Sequence, residues 1–194
     1  MAGKNTRQKV LRAAIDLFYE KGYSETSVRD IGAQAGISNS LVYHYFKNKE
    51  EVLFEILNTQ SQNLLLTLLD IEEKNQDHLN CLRELLLVHL RFTIIHYKKE
   101  SRILNDSFDL LSYKYKAFLK RVERDIYDLY KKELEELAKL GLLNHVYLPA
   151  LIFSIFGIID WSIRWYREGG RLTEEEVIHH LMNFIFHGML KPGT

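Results

Sequence analysis

Apolar residues recur three and four positions apart along almost the whole chain, and this spacing predicts an all-α protein. The clearest local pattern lies between Thr26 and Gly36. A hydroxyl at Thr26 or Ser27 can accept a hydrogen bond from an unpaired backbone N–H, and Asp30 lies near the helix start, where the helix dipole favours negative charge. Gly36 can adopt the left-handed conformation that ends a helix. The apolar face of this predicted helix consists of Val28, Ile31 and Ala35.

A second short helix is predicted directly after a tight turn. Ser38 can cap its start, and Val42 points toward the core that the first helix faces. The outward face is polar and consists of Asn39, Ser40, Tyr43 and His44. Two short helices in this arrangement, the second polar on its outer face, are typical of a helix-turn-helix whose second helix enters the DNA major groove.

The rest of the chain keeps the helical spacing and contains no repeat and no low-complexity segment. A polar loop is expected from Ile71 to Asp77, and we expect Gly141 and Gly169-Gly170 each to end a helix. Thr173 and Glu176 are spaced as a capping box for the last helix. The predicted helices cover about 52–69, 79–98, 101–110, 112–140, 146–168 and 174–190. With three N-terminal helices, the pattern predicts about nine helices in all.

Composition mainly excludes other classes of protein. The chain has 194 residues and a single cysteine, Cys81, which excludes an intramolecular disulfide and suits a reducing cytosol. The polar start lacks the apolar run of a secretory signal, so we expect a cytoplasmic protein. The longest apolar stretch, Leu148 to Ile159, is interrupted by Pro149 and Ser154 and is too short to span a bilayer. It is expected to be a buried helix, without membrane contact.

Charge is distributed unevenly along a chain whose net charge is zero. Up to Lys49 there are eight basic and four acidic residues, a net charge of +4, so the remainder carries −4. A positive N-terminal part on a negative body favours docking on DNA through one end, because phosphate attracts the first and repels the second.

The stretch from Val10 to Leu53 closely resembles the DNA-binding domain of the TetR family of bacterial repressors. Two small departures are Gly32, where the family usually has alanine, and Leu41, where a small polar residue is common. Gly32 should destabilise its helix by up to about 1 kcal/mol relative to alanine. The segments that carry the resemblance are Ala13-Ala14-Ile15-Asp16-Leu17-Phe18, Gly22-Tyr23-Ser24-Glu25-Thr26-Ser27-Val28-Arg29-Asp30-Ile31, Ala35-Gly36-Ile37-Ser38, Val42-Tyr43-His44-Tyr45-Phe46 and Lys47-Asn48-Lys49-Glu50.

The resemblance implies roles for individual residues of the predicted DNA-binding domain. Arg29 matches a position that faces DNA, and Tyr43 matches a tyrosine that contacts phosphate. His44 can contact either a base or the backbone. Lys49 begins the next long helix, so its ammonium and the helix N-terminus are expected to act on one phosphate together. The predicted DNA-binding residues are Arg29, Ser38, Asn39, Ser40, Tyr43, His44 and Lys49.

The resemblance also implies two domains and a homodimer. Residues 1–49 would form the helix-turn-helix DNA-binding domain, and residues 50–194 a larger helical bundle for ligand binding and dimerisation. The last two long helices, about 146–168 and 174–190, would form the dimer interface. They are unusually rich in large apolar residues, and a dimer supplies the two recognition helices that a palindromic double-stranded operator requires.

A small apolar effector is the remaining partner that the resemblance implies. Large aromatic residues of the middle helices either form an ordinary core or line a long apolar cavity. The predicted lining residues are Phe92, His96, Phe108, Tyr113, Phe118 and Tyr127.

A second feature is the arginine series Arg164, Arg167 and Arg171, which is spaced to share one helix face beside Trp161 and Trp165. Such a series either holds a pyrophosphate beside a stacked adenine or only complements the helix dipole. The C-terminal part also resembles, more loosely, the TetR-family repressors of fatty-acid and steroid catabolism, whose inducers are coenzyme A thioesters. A long-chain acyl-CoA is therefore the leading effector hypothesis, with a free fatty acid, an aromatic compound or a drug as alternatives.

Two other classes of protein were weighed against a DNA-binding regulator. For an enzyme, the histidines after residue 50 lack any recognised catalytic spacing, and one cysteine offers no zinc framework. These histidines include His78, His89, His96, His179, His180 and His187. No cofactor and no metal site are therefore expected. A helical interaction protein that has lost DNA binding remains the other alternative, although Tyr43 and Lys49 are both present.

Overall fold

Helices account for nearly all the regular structure in the computed structural model, which describes residues 2–144 and 147–192. Within these residues there are nine α-helices, a π-helical turn at Phe92–His96 and a 3-10 turn at Phe108–Leu110. The predicted all-α fold class is confirmed. The α-helices are α1 (Ala2–Lys21), α2 (Val28–Ala35), α3 (Asn39–Tyr45), α4 (Lys49–Lys74), α5 (His78–Arg91), α6 (Lys98–Ser107), α7 (Tyr113–Lys139), α8 (Leu148–Trp165) and α9 (Glu174–Met189).

The chain forms two compact units. The first contains Met1–Ser61 and Lys99–Lys120, and the second contains Gln62–Lys98 and Arg121–Thr194. Helices α4 and α7 each contribute residues to both units. The boundary predicted between residues 49 and 50 was drawn between two expected functions, and it stays a prediction.

The core of the first unit is built on the apolar face of α1. Five α1 residues lie in one buried cluster with apolar residues of α2 and α3 and with the residue that follows α3. The cluster also contains Ile103, Leu111 and Leu119 from the second chain segment of this unit. The sequence pattern did not assign those three to this core, because a contact between distant segments leaves no local spacing. The residues of this contact between the first three helices include Ala14, Leu17, Phe18, Ile31, Val42 and Phe46.

Local capping fixes the helix-turn-helix as predicted. The Ser27 hydroxyl accepts from the backbone N–H of Asp30 at 3.1 Å, and the Asp30 carboxylate accepts from the N–H of Ser27 at 2.9 Å. Hydrogen bonding to Ser27 holds the pKa of Asp30 below its usual value. Gly36 ends α2 at φ 66°, in the left-handed region, and Ser38 caps α3. The turn is therefore defined by a few neighbouring residues.

Apolar residues of α5, α7, α8 and α9 form the core of the second unit. Two polar contacts lie among them. Glu133 is almost fully buried and pairs with His78, with Nδ1 and Oε2 2.8 Å apart. Tyr130 is fully buried, and its hydroxyl lies 3.1 Å from Nδ1 of His89. Desolvation lowers the pKa of His89 to about 4, so this imidazole is neutral at physiological pH.

The polar loop expected from Ile71 to Asp77 is wrong in its first part. Helix α4 continues to Lys74, because Ile71 packs against the buried cluster and Lys74 pairs with Asp70 at 2.6 Å. The connection is shortened to residues 75–77, and Asp77 caps α5 by accepting from the N–H of Asn80 at 2.7 Å.

The continuous helix predicted over 79–98 is also wrong. Helix α5 ends at Arg91, and the π-helical turn follows, with the N–H of Tyr97 donating to the carbonyl of Phe92 at 2.8 Å. Tyr97 leaves helical geometry at φ −127° and ψ 35°, so α6 begins at Lys98 instead of near residue 101. A wider turn of this kind depends on packing around it and has no simple spacing in the sequence.

Helix α8 ends three residues earlier than predicted. Tyr166 is buried and extended, and Gly169, with φ 76°, lies beyond the helix instead of ending it. Desolvation and a hydrogen bond to Glu174 raise the pKa of Tyr166 to about 12. The Lys98 ammonium lies 5.5 Å from the centre of the same ring. Burial of Tyr166 therefore redirects the chain before the glycines.

At the other end of α8, the predicted first residue, 146, lies outside the described residues. Helix α8 begins at Leu148 with Pro149 in its first turn, where proline is tolerated.

Candidate nucleic-acid interface

The outward face of α3 is polar and exposed. Tyr43 is 55% exposed, and Val42 is the buried residue of this helix. The predicted contact residues Asn39, Ser40 and His44 are exposed with Tyr43. Leu41, which was not predicted as a contact, is 37% exposed and adds an apolar side chain to the helix surface. A short helix with this exposed face can enter a major groove while its buried Val42 stays packed against the core.

Ser38 and Arg29 differ in how far they are already engaged. The Ser38 hydroxyl accepts from the N–H of Leu41 at 3.3 Å and lies 2.9 Å from the hydroxyl of Ser40, so it holds the start of α3. Arg29 is exposed on α2, and its guanidinium has no hydrogen bond within the described chain. Arg29 is therefore the more available donor for a base edge or a phosphate.

Gly32 is buried beneath the first residue of the recognition helix. A Cβ at this position would lie 2.8 Å from Oδ1 of Asn39 and 3.2 Å from the carbonyl oxygen of Ile37. The side chain of Asn39 thus occupies the space that an alanine at position 32 would need. The sequence alone did not reveal that the Asn39 side chain lies over Gly32.

Gly32→Ala is expected to displace the Asn39 side chain and weaken operator binding. If Asn39 reads a base, the loss is about 1–3 kcal/mol, with little change in salt dependence because phosphate contacts are kept. Fluorescence anisotropy at several salt concentrations measures both quantities. In an Asn39→Ala background the same glycine substitution should have little further effect. An equal loss in both backgrounds would mean that Gly32 acts through something other than Asn39.

Lys49 is held by the loop between α1 and α2. Its ammonium donates to the carbonyls of Tyr23 at 2.7 Å, Ser24 at 3.2 Å and Thr26 at 2.7 Å, and lies 4.3 Å from the centre of the Tyr23 ring. Desolvation lowers the pKa of Lys49. All three N–H donors of the ammonium are thereby used. The phosphate contact predicted for Lys49 stays a prediction, and the geometry favours a structural role.

Lys47 was not among the predicted DNA-binding residues, but its position makes it a candidate for a phosphate contact. Its side chain is exposed, and its ammonium has no partner within the described chain. The backbone around it is fixed, since Glu51 accepts from the N–H of Lys47 at 2.5 Å and Asn48 accepts from the N–H of Glu51 at 2.8 Å. The available signal was the place of Lys47 directly after the aromatic residues that end the motif.

The predicted effector residues do not all lie in one unit. Phe108, Tyr113 and Phe118 belong to the first unit, and Tyr113 is 88% exposed. The other residues lie in the second unit, where Phe92 and His96 line one cavity. Tyr127, also in that unit, lies against aromatic residues of α8, 5.5 Å from Phe153 and 6.5 Å from Phe156 between ring centres.

The arginine series does not share one helix face. Because α8 ends at Trp165, only Arg164 lies on the helix, and Arg167 and Arg171 lie in the segment after it. Arg164 lies over the ring of Trp161, with 5.7 Å between the guanidinium carbon and the ring centre. Trp161 is 62% exposed and Trp165 is 47% exposed. The two indoles and one guanidinium are therefore what α8 itself presents.

Helix α8 is not the buried helix that was expected. Only 22% of it is buried, because one face packs into the core while Phe153 and both tryptophans stay exposed. On α9, Phe184 is also 70% exposed. In length and composition α8 could cross a membrane, which is weak evidence, since helices of soluble proteins have the same properties. Two successive helices therefore expose large apolar side chains.

The described residues contain no group of three or more His, Cys, Asp or Glu side chains placed to hold a metal ion.

Comparisons with known proteins agree with the helix-turn-helix and extend the likeness to the rest of the chain. Residues 10–56 match the family model of bacterial regulatory proteins of the tetR family, and residues 75–189 match the model of the tetracyclin repressor-like C-terminal domain. The repressor KstR2 of Mycobacterium tuberculosis is 28% identical over 97% of this chain and 94% of its own.

Solved structures show the same architecture. The ketosteroid transcriptional regulator KstR2 of Mycobacterium tuberculosis superposes with a TM-score of 0.87 at 26% identity, covering 95% of each chain. AibR in complex with isovaleryl coenzyme A and operator DNA has a TM-score of 0.86 at 23% identity, covering 93% of this chain and 98% of its own, which is a likeness of fold. The predicted family and its regulatory, non-enzymatic character are confirmed. The chain belongs to the TetR family of bacterial regulatory proteins, and it is a ligand-responsive, DNA-binding transcriptional repressor.

Proposed function

We propose that this repressor acts in the cytoplasm, binds a palindromic operator as a homodimer, and leaves the operator when a long-chain acyl-CoA binds. The observation that carries the DNA-binding part is the exposed polar face of α3, with Tyr43, Asn39 and His44 on one short helix. Arg29 and Lys47 add cations whose side chains make no hydrogen bond within the described chain. Base edges would be contacted from the first turn of α3, and phosphates by Tyr43 and Lys47.

The homodimer is supported by the exposed apolar side chains of α8 and α9. Phe153 and Phe184 are 63% and 70% exposed, and large exposed apolar patches mark interaction sites. A two-fold interface would bury them and supply two recognition helices, one for each half of a palindrome. We assign Phe153 and Phe184 to this interface.

The acyl-CoA hypothesis is supported by Trp161, Arg164 and Trp165. An indole can stack on adenine, and a guanidinium can bind phosphate oxygens in a bidentate manner. Arg167 and Arg171 are exposed in the segment that follows and can reach further phosphate oxygens. The fold accommodates a coenzyme A thioester and DNA in AibR. We assign these residues to the nucleotide part of the effector.

Release would follow from a difference in effector affinity between two dimer shapes. Half-sites that are read by symmetric recognition helices lie about 34 Å apart on B-DNA. An effector that binds more tightly to a dimer with another spacing lowers DNA affinity, and a coupling of about 1–3 kcal/mol corresponds to about a 5- to 150-fold change.

The test is fluorescence anisotropy of labelled DNA from the gene's own upstream region. The complex should weaken steeply with salt, because phosphate contacts release counterions. A long-chain acyl-CoA should release the DNA at micromolar concentration, whereas free coenzyme A and the free fatty acid should not. If the free fatty acid, an aromatic compound or a drug released the DNA instead, the acyl-CoA assignment would be wrong. The assignment as a ligand-responsive DNA-binding regulator would stand.

A variant separates the nucleotide site from general apolar binding. Arg164→Ala should weaken the acyl-CoA response by about tenfold or more, through loss of a charge-assisted contact, while DNA binding without effector is unchanged. Arg121→Ala, at an exposed arginine of α7, is the matched control and should respond as the unmodified protein does. A full response from Arg164→Ala would contradict the assignment.

A further inference from the structure

A cavity of about 610 Å³ lies within the second unit. It is formed by one side of α4, the end of α5 and the π-helical turn with the residue that follows it. Its volume lies in the usual range for small-molecule sites. Phe92 and His96 of its lining are among the residues predicted to line an effector cavity, whereas the tryptophans and arginines assigned to the nucleotide part of the acyl-CoA do not belong to it. The lining residues are Asn63, Leu66, Thr67, Val88, Arg91, Phe92, His96 and Tyr97.

The π-helical turn shapes the apolar wall of this cavity. In a regular α-helix, residues five apart point in clearly different directions, because each residue rotates the helix by about 100°. In the wider turn, the rings of Phe92 and Tyr97 stack, with their centres 4.1 Å apart and their planes 17° apart. Leu66 and Val88 provide further apolar surface. The cavity can therefore hold an apolar body.

The polar groups of the lining are mainly hydrogen-bond donors. The Asn63 amide donates to the Tyr97 hydroxyl at 3.3 Å, so the hydroxyl oxygen is engaged as an acceptor while its own proton stays available. The Thr67 hydroxyl donates to the carbonyl of Asn63 at 2.7 Å, which uses its proton within α4. The donors left for a bound molecule on this side are the Tyr97 hydroxyl and the second N–H of the Asn63 amide.

Arg91 provides the permanent charge of the cavity. No aspartate or glutamate is among the lining residues. Glu175 accepts from Nε and one terminal nitrogen of Arg91, both at 3.0 Å, while the other terminal nitrogen has no hydrogen bond within the described chain. The remaining terminal nitrogen of the Arg91 guanidinium can therefore donate to a second anion while the bidentate pair with Glu175 is kept.

We propose that this cavity binds a small apolar carboxylate. Its apolar body would pack against Leu66, Val88 and the stacked rings, and its carboxylate would accept hydrogen bonds from Arg91 and Tyr97. This site is separate from the tryptophans and arginines assigned to the nucleotide part of the acyl-CoA, and it does not depend on the acyl-CoA assignment.

Isothermal titration calorimetry with two probes of opposite charge tests the charge preference. Decanoate should bind the intact protein, whereas decyltrimethylammonium, with an alkyl chain of similar length and the opposite charge, should bind at least about tenfold more weakly, because it would face Arg91. The absence of decanoate binding at millimolar concentration, or equal binding of both probes, would overturn the proposal.

Variants locate the binding. Arg91→Gln should weaken decanoate binding at least about tenfold, and Tyr97→Phe, which keeps the ring, by several-fold. Glu175→Gln should strengthen it, because it removes the competing carboxylate. Arg83→Gln, on the same helix with its guanidinium over the Phe186 ring, is the matched control. Thermal unfolding checks that each variant is folded. Decanoate binding that is the same in folded Arg91→Gln and Tyr97→Phe proteins would overturn this site.

Discussion

Replacing both Phe153 and Phe184 with glutamate is expected to give a folded monomer that has lost operator binding. Both side chains are mostly exposed, so the change costs the isolated chain little stability. In a two-fold interface, however, the two substitutions would bury carboxylates close to the same carboxylates of the partner subunit, which disfavours the dimer. A dimer that contacts two half-sites at once binds about 10²- to 10⁴-fold more tightly than a monomer that contacts one. The operator affinity of the monomer should therefore be lower by that factor. Light scattering gives the mass, and anisotropy gives the DNA affinity.

The matched control is Leu140→Glu at the end of α7, where a leucine that is 63% exposed lies outside α8 and α9. This variant should remain a dimer with unchanged DNA binding. A dimer of full operator affinity with glutamate at positions 153 and 184 would place the interface elsewhere and remove the main support for assigning it to α8 and α9.

Lys49→Met is expected to destabilise the protein by about 2–3 kcal/mol. Three backbone carbonyls lose a charged donor, and hydrogen bonds to charged groups contribute more than neutral ones. The contact of the ammonium with the Tyr23 ring is lost as well. Urea unfolding measures the change. The salt dependence of DNA binding, measured on the folded protein, should stay the same, because the ammonium is already engaged.

Lys47→Met should behave in the opposite way. Its exposed ammonium has no partner within the described chain, so the free energy of unfolding should change by no more than about 0.5 kcal/mol. If Lys47 contacts phosphate, the slope of log affinity against log salt should fall by about 0.9 for each contact removed. A stable Lys49→Met protein with a reduced slope would instead restore Lys49 as the phosphate ligand.

The helix-turn-helix could be predicted from the sequence because its boundaries are set locally. The capping box of Ser27 and Asp30, the left-handed Gly36 and the cap at Ser38 each involve residues no more than four apart. The capping box of Thr173 and Glu176 at the start of α9 was predicted for the same reason. Interactions between such near neighbours give a recognisable spacing of residue types in the sequence.

The errors arose where distant residues decide the backbone. Helix α8 ends at Trp165 because Tyr166 is buried and meets Glu174 and Lys98, although the nearby glycines suggested a later end. The π-helical turn was read as continuous helix because the apolar spacing continues through it.

By itself, the sequence determined the helical class, the helix-turn-helix and the polar face of its second helix, because spacing and capping act between near neighbours. Only the tertiary structure decided that Lys49 serves the loop before α2, that Gly32 makes room for Asn39, and that Arg91 and Tyr97 share a cavity. These arrangements depend on side chains brought together by packing, for which a linear spacing carries no signal.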